Sequence, residues 1–68
     1  MELVINGNCE QLPDGINAVQ LIEHLGLVNE RLAMEVNEEI VPHSRFASHH
    51  FTAGDRIEIV RAIGGGQA

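Results

Sequence analysis

The sequence is short of the residues that mark several classes of protein. It has no tryptophan, tyrosine or lysine, and only one cysteine and two phenylalanines among its 68 residues. The lone Cys9 excludes an internal disulfide framework and fits a reducing cytoplasm. No apolar run approaches membrane-spanning length, and the acidic opening is unlike a signal peptide. We therefore expect one small cytoplasmic domain whose core is built from Leu, Ile and Val.

The charge of the chain is one-sided. Ten acidic residues stand against four arginines, which gives a formal net charge of −6. This balance argues against nucleic acid or an anionic membrane as the partner, because both are negatively charged. It suits docking on a basic protein surface, although an acidic balance also simply keeps a protein soluble. Without lysine, no side-chain amine of this chain can accept an isopeptide bond.

Periodicity and turn residues predict the element order β-β-α-β-β-β. The single amphipathic helix has Asn17 as its N-cap, Gln20 as the capping-box partner and Gly26 as the terminator. Such a helix can bury its apolar stripe only against one face of a small sheet, with the last strand central beside the first. The pattern predicts an α+β, β-grasp fold with a mixed sheet, a domain over residues 1–63 and a flexible glycine-rich tail over 64–68. Strands are expected at residues 2–6, 9–12, 32–36, 40–41 and 56–61, with turns at Asn6-Gly7 and at Asn37-Glu38-Glu39.

The glycine run Gly64-Gly65-Gly66 follows the last predicted strand almost at once. Glycine loses more conformational entropy on ordering than any other residue and has no side chain to bury. An extended glycine segment is, however, thin enough for a channel that would exclude a Cβ, and with Ile63 it could span about 10–14 Å. We interpret the tail as a substrate arm that delivers a terminal carboxylate into another protein's active site. A frayed terminus is the alternative.

The face of the sheet away from the helix is the second candidate site. Val4, Ala33 and Val60 are predicted to lie together there, near the point where the tail leaves the sheet. With Ile63 they would dock a partner protein, and scattered surface aliphatics are the alternative interpretation.

The other polar residues predict neither a catalytic nor a metal site. The histidine spacing matches no ligand motif, so His43, His49 and His50 are interpreted as surface loop residues. Cys9 has only uncharged or acidic sequence neighbours, none of which would activate a thiol.

Several strings in the sequence occur in one recognisable order. EVNEEIVP at 35–42 and GDRIEIV at 54–60 precede the glycine run. Together with the hairpin and the capped helix, they resemble the small sulfur carrier proteins of thiamine (thiazole) biosynthesis, the ThiS family. The resemblance covers essentially the whole chain and implies a ubiquitin-like β-grasp fold.

The resemblance also implies a chemical cycle. An adenylyltransferase of the ubiquitin-activating type would use Mg-ATP to convert the Gly66 carboxylate to an acyl adenylate, with Gly64 and Gly65 threading the tail into that enzyme. A cysteine desulfurase or rhodanese-like donor would supply persulfide sulfur to form a thiocarboxylate. Thiazole synthase would then accept the sulfur. The carrier would contribute no catalytic group and bind no cofactor or metal of its own.

The sequence departs from the family pattern in two regions. His43 and Phe46 stand where the family usually has arginine and tryptophan. Gln67-Ala68 follows Gly66, whereas the family ends in Gly-Gly. Trimming of this dipeptide is the favoured interpretation, and a cloning remnant or activation of a non-glycine carboxylate are the alternatives.

Two rival functions are compatible with the sequence. A related β-grasp carrier for molybdopterin synthesis, cysteine synthesis or tRNA thiolation would share the tail. A non-covalent β-grasp interaction module would not need it.

Overall fold

Five strands and one helix account for the regular structure of residues 1–61, the part of the chain that the computed structural model describes. The predicted domain end at Ile63 and the tail at 64–68 lie outside these residues. The elements are β1 (Glu2–Ile5), β2 (Asn8–Gln11), α1 (Ala18–His24), β3 (Leu32–Val36), β4 (Glu39–Val41), a 3-10 turn (His43–Arg45) and β5 (Arg56–Arg61).

Each of the two hairpins has a tight turn with positive φ angles between its strands. Asn6 and Gly7, between β1 and β2, have φ angles of 50° and 85°. Both central residues of a type I′ turn need positive φ, and this turn matches the right-handed twist of the strands that it joins. Asn37 and Glu38, between β3 and β4, repeat the arrangement at 52° and 71°. Both predicted turns are therefore confirmed.

The helix begins and ends at the predicted residues. The Asn17 side chain accepts a hydrogen bond from the Gln20 backbone N–H at 2.8 Å, and the Gln20 side chain accepts one from the Asn17 N–H at 2.9 Å. Gly26 follows the helix at φ 73°, and the N–H of Leu27 donates to the Ile22 carbonyl at 3.0 Å. This six-to-one hydrogen bond closes a Schellman motif. A seven-residue helix is thus fixed by its caps as well as by packing.

The strand order of the sheet is β2-β1-β5-β3-β4. β1 and β5 run parallel, whereas the other neighbouring pairs are antiparallel. The mixed sheet with the last strand central beside the first is therefore confirmed.

The core lies between α1 and one face of the sheet. The alternation is strictest in β3, where every second residue is buried, and in β5, where Ile57 and Ile59 point inward. Edge strand β2 contributes none of its own residues, because Glu10 shares a face with its partner Leu3 but stays exposed. The buried residues are Leu3, Ile5, Leu12, Ile16, Ala18, Leu21, Leu32, Met34, Val36, Val41, Phe46, Phe51, Ile57 and Ile59.

The N-terminus is attached to the far end of the hairpin. The Met1 ammonium donates to the Leu12 carbonyl at 2.6 Å and lies 2.9 Å from Asp14 Oδ1. The hydrogen bond that this ammonium donates to the Asp14 carboxylate, together with its positive charge, lowers the pKa of that carboxyl. Asp14 is highly exposed, so the pair contributes little to stability.

Truncation of core residues tests the packing. Leu21→Ala in α1 and Ile59→Ala in β5 should each lower the free energy of unfolding by about 2–4 kcal/mol, because both remove buried methyl groups from a small core. Leu21 is 0% exposed and Ile59 7%. Val19→Ala, on the same helix at 38% exposure, is the matched control and should change stability by less than about 1 kcal/mol. Urea denaturation measures all three, and equal losses at Leu21 and Val19 would contradict the assigned helix face.

Candidate functional site

The strand that leads to the glycine tail is the central strand of the sheet. β3 accompanies β5 from Val36, opposite Ile57, to Leu32, opposite Arg61. β1 pairs only with the beginning of β5, up to Ile57. Within residues 1–61, the second half of β5 therefore has a strand neighbour on one side only.

A side chain continues the hydrogen bonding where β1 ends. Asn6 Oδ1 accepts from the Ile59 N–H at 2.9 Å, and Asn6 Nδ2 donates to the Ile59 carbonyl at 3.2 Å. Both hydrogen bonds are partly buried, where an unpaired backbone group would be costly. One amide thus replaces a strand residue and holds β5 two residues before its end.

A second turn asparagine holds the beginning of the same strand. Asn37 Oδ1 accepts from the Arg56 N–H at 3.0 Å, and Asn37 Nδ2 donates to Asp55 Oδ1 at 3.1 Å. Asn6 and Asn37 occupy the same position in two equivalent turns, and both bind the backbone of β5. The sequence identified both as turn residues, but their contacts with β5 depend on strands that are distant in sequence.

An apolar patch lies on the outer face of the sheet, away from α1. Ala33 and Val60 are direct cross-strand neighbours, and Ile40 lies beside Glu35 on the adjoining strand β4. Val60 is 57% exposed and Ile40 74%. We call Ala33, Ile40 and Val60 the apolar patch, and all three line one shallow depression.

The predicted place of Val4 in this patch is wrong. Parallel pairing puts Val4 opposite Arg56, and Val60 lies four residues further along β5. At about 3.3 Å per residue, the two valines are separated by roughly 13 Å along the strand direction. Ile40 on β4, which was not predicted, belongs to the patch, and Val4 on β1 does not. Strict alternation could have identified Ile40, since Val41 is buried and its neighbour must face outward.

Two of the loop histidines are more than the predicted surface residues. His43 Nε2 lies 2.9 Å from the Leu32 carbonyl oxygen, and the His43 ring stacks on Phe46 with centroids 4.6 Å apart. His49 packs edge-on against Phe51 at 5.1 Å. Because these rings support buried phenylalanines, their contacts stabilise the loop between β4 and β5.

The described residues assemble no metal site. No group of three or more His, Cys, Asp or Glu side chains within residues 1–61 could hold a metal ion. Cys9 is exposed on β2, where it pairs with Val4. His50 is also exposed but pairs with Asn17, so Cys9 and His50 are neighbours neither in the sequence nor in the strand pairing. Over the same residues, no helix has the length and apolar character to cross a membrane.

The predicted tail residues Ile63, Gly64, Gly65 and Gly66 lie outside the described residues, so their roles stay predictions. The structure does describe the last strand residue before them. Arg61 Nε lies 3.2 Å from Glu30 Oε1 at the end of β5. In the sequence, the glycine run begins three residues after Arg61, the last residue of β5.

The mixed five-stranded sheet with one helix and a central last strand defines a ubiquitin-like, β-grasp domain. The family model of the ThiS family matches residues 3–66, and the chain belongs to that family. It is 30% identical to the sulfur carrier protein ThiS of Escherichia coli over 66 residues, which are 97% of this chain and 100% of that one. The crystal structure of a thiamine biosynthesis protein (ThiS) from Geobacter metallireducens matches with a TM-score of 0.85 and 25% identity, covering 97% of this chain and 100% of that one.

The chain is also similar to part of a much longer relative. It is 41% identical over 66 residues to a thiazole synthase of Paramagnetospirillum magneticum, a match that covers 97% of this chain and 20% of that protein. A thiazole synthase of Magnetococcus marinus gives 31% identity and 21% coverage. The chain thus spans about a fifth of the length of these two relatives.

The two hydrogen bonds between the Asn6 side chain and Ile59 can be tested without altering the turn. Asn6→Gly keeps a residue that tolerates positive φ but removes both hydrogen bonds to Ile59, so it should lower the free energy of unfolding by about 1–3 kcal/mol. Asn29→Gly is the matched control, since Asn29 also has positive φ, 72°, and its side chain makes no hydrogen bond within residues 1–61. The control should change stability by no more than about 0.5 kcal/mol. Equal losses in urea denaturation would show that the Ile59 contacts contribute nothing.

Proposed function

We propose that this chain is a sulfur carrier whose glycine carboxylate is adenylated and converted to a thiocarboxylate that donates sulfur for thiazole formation in thiamine biosynthesis. The observation that carries the proposal is a family match that runs through Gly66 and so includes the glycine run. The similarity to the sulfur carrier of Escherichia coli over that protein's whole length supports it.

The chemistry explains why a thin tail is useful. A carboxylate is a poor electrophile, but displacement of pyrophosphate from Mg-ATP turns it into an acyl adenylate with AMP as leaving group. A persulfide sulfur then displaces AMP to give an acyl disulfide, and attack of a second thiol on the donor's sulfur releases the thiocarboxylate and leaves a disulfide between that thiol and the donor. The reacting carbonyl must be approached closely and in a defined orientation, and a glycine presents no Cβ to obstruct either. The carrier itself supplies position and no catalytic group.

The proposed partners follow from this cycle. An adenylyltransferase of the ubiquitin-activating type would activate Gly66, and a cysteine desulfurase or rhodanese-like protein would donate sulfur. Thiazole synthase would be the acceptor. The two longer relatives support this acceptor, because each is named a thiazole synthase and about a fifth of its length resembles this chain. Placing a carrier and an acceptor in one chain would raise their effective concentration.

The tail chemistry has a direct readout. With adenylyltransferase, sulfur donor and ATP, the form of the chain that ends at Gly66 should gain the mass of one oxygen replaced by sulfur, as measured by intact mass spectrometry. The form that ends at Ala68 should react much more slowly, because a glutamine side chain would have to enter a channel suited to glycine. If the Gly66 form shows no shift with enzymes proven on another carrier, the sulfur-carrier function is wrong.

A matched variant separates activation from folding. Gly65→Val in the form ending at Gly66 should leave the melting temperature nearly unchanged and abolish the mass shift, since the valine would obstruct the channel. Unfolding of the domain by this substitution would instead show that the tail is structural.

The apolar patch provides a separate test of docking. Val60→Asp should raise the Kd for the adenylyltransferase by about tenfold or more, because it puts a charge into an apolar contact next to the tail. Val28→Asp is the matched control, with the same charge change at 53% exposure against 57% for Val60, on the helix side of the domain. Calorimetry should find the control close to wild type, and circular dichroism should find both variants folded. A loss of affinity at Val28 alone would place docking on the opposite side of the sheet.

A further inference from the structure

On the outer face of the sheet, two acidic side chains lie next to each other and beside an exposed apolar side chain. α1 covers only the inner face, and no element within residues 1–61 covers the outer one. Across the three strands β5, β3 and β4, the register aligns Glu58, Glu35 and Ile40. Two carboxylates are therefore direct cross-strand neighbours beside an exposed isoleucine, and the Val60–Ala33 pair forms the next outward-facing row.

This arrangement is unfavourable for the isolated domain. Side chains directly opposite on neighbouring strands have their Cβ atoms about 5 Å apart, and like charges there repel each other. Arg56 lines the same depression as both glutamates and lies two residues from Glu58 on β5. Within residues 1–61, however, neither glutamate forms an ion pair, since the two recorded pairs are Met1 with Asp14 and Arg61 with Glu30. Arg56 is therefore near the two carboxylates without pairing with either of them, and no ion pair within these residues offsets their repulsion.

We propose that Glu35 and Glu58 together bind an arginine side chain of the adenylyltransferase, an inference that rests on the proposed function. A guanidinium group is planar and has five N–H donors, so one arginine can bridge two adjacent carboxylates. Its aliphatic stem would lie along the apolar patch, on Ile40 and Ala33, while the charged head reaches the glutamates. The face thereby specifies a partner surface with a single arginine set among apolar side chains.

The charge of the chain decides between this occupant and a second copy of the same chain. Each copy has a formal net charge of −6, so two copies brought face to face would repel each other over their whole surfaces. The same negative charge favours the binding of a basic partner in two ways. It is attracted over a distance by the whole acidic domain, and at contact it neutralises the facing carboxylates.

The position of the pair in the sheet adds to this argument. Glu58 is two residues before Val60 on the strand that leads to the glycine tail. A partner that receives the tail and contacts Val60 would cover Glu35 and Glu58 as well, which excludes water and strengthens the arginine hydrogen bonds.

Two substitutions at Glu58 test the proposal by opposite changes in stability and affinity. Glu58→Gln should raise the melting temperature at low salt by about 1–6 °C, because it removes the repulsion. It should also raise the Kd for the adenylyltransferase by about tenfold or more. Glu58→Arg would face Glu35 with the opposite charge, so this variant should be at least as stable as wild type and should bind far more weakly than Glu58→Gln.

Glu23→Gln, on the exposed side of α1, is the matched control for net charge. It should leave the Kd within about twofold of wild type, since it alters only long-range attraction. If Glu23→Gln weakens binding as much as Glu58→Gln does, the effect is general charge and the proposed arginine contact is wrong. Wild-type affinity of Glu58→Arg overturns it as well.

The rate of thiocarboxylate formation separates this inference from the proposed function. At saturating carrier concentration, Glu58→Gln should react at the wild-type kcat with a raised KM, because neither glutamate touches the reacting atoms. A wild-type KM would contradict the inference alone. Failure of the wild-type form ending at Gly66 to be converted at all would contradict the proposed function, whatever the Kd values are.

Discussion

The hydrogen bonding of β5 is the constraint on which the rest of the structure depends. This strand lies between β1 and β3, contributes two isoleucines to the core, and leads to the glycine tail. β1 is too short to accompany it, and the amide of Asn6 supplies the contact that a longer strand would have made. Asn37 does the same at the beginning of β5. The strand before the tail is therefore held by two side chains as well as by its neighbours.

One face of the sheet is buried and the other exposed because residues 1–61 contain a single α-helix. One seven-residue helix can cover one face only, and the alternation of β3 and β5 assigns nearly all large apolar residues to that face. The other face keeps the apolar patch and the facing pair of Glu35 and Glu58. A domain selected for stability alone would not place these carboxylates opposite each other. Their position is understandable if a partner protein completes the outer face during activation of the tail.

Local sequence signals predicted the elements well because each signal acts over a few residues. Asn17 with Gln20 determined where the helix begins, Gly26 determined where it ends, and the positive φ angles of Asn6 and Gly7 produced the first hairpin. The inward and outward sides of single strands also followed from period-two alternation. The outer-face site was predicted only in part, because Ala33 and Val60 are neighbours whereas Val4 is not.

The sequence by itself determined the element order, the helix caps, the apolar side of each strand and the glycine run, because these depend on propensities and spacing within short segments. Only the tertiary structure decided the register between strands. The register of β1 along β5 separates Val4 from Val60 and places Asn6 beside Ile59, and the register of β3 along β5 puts Glu35 opposite Glu58. Register depends on the geometry of the turns that connect the strands and on how the shared core packs, and the pattern within one strand contains neither.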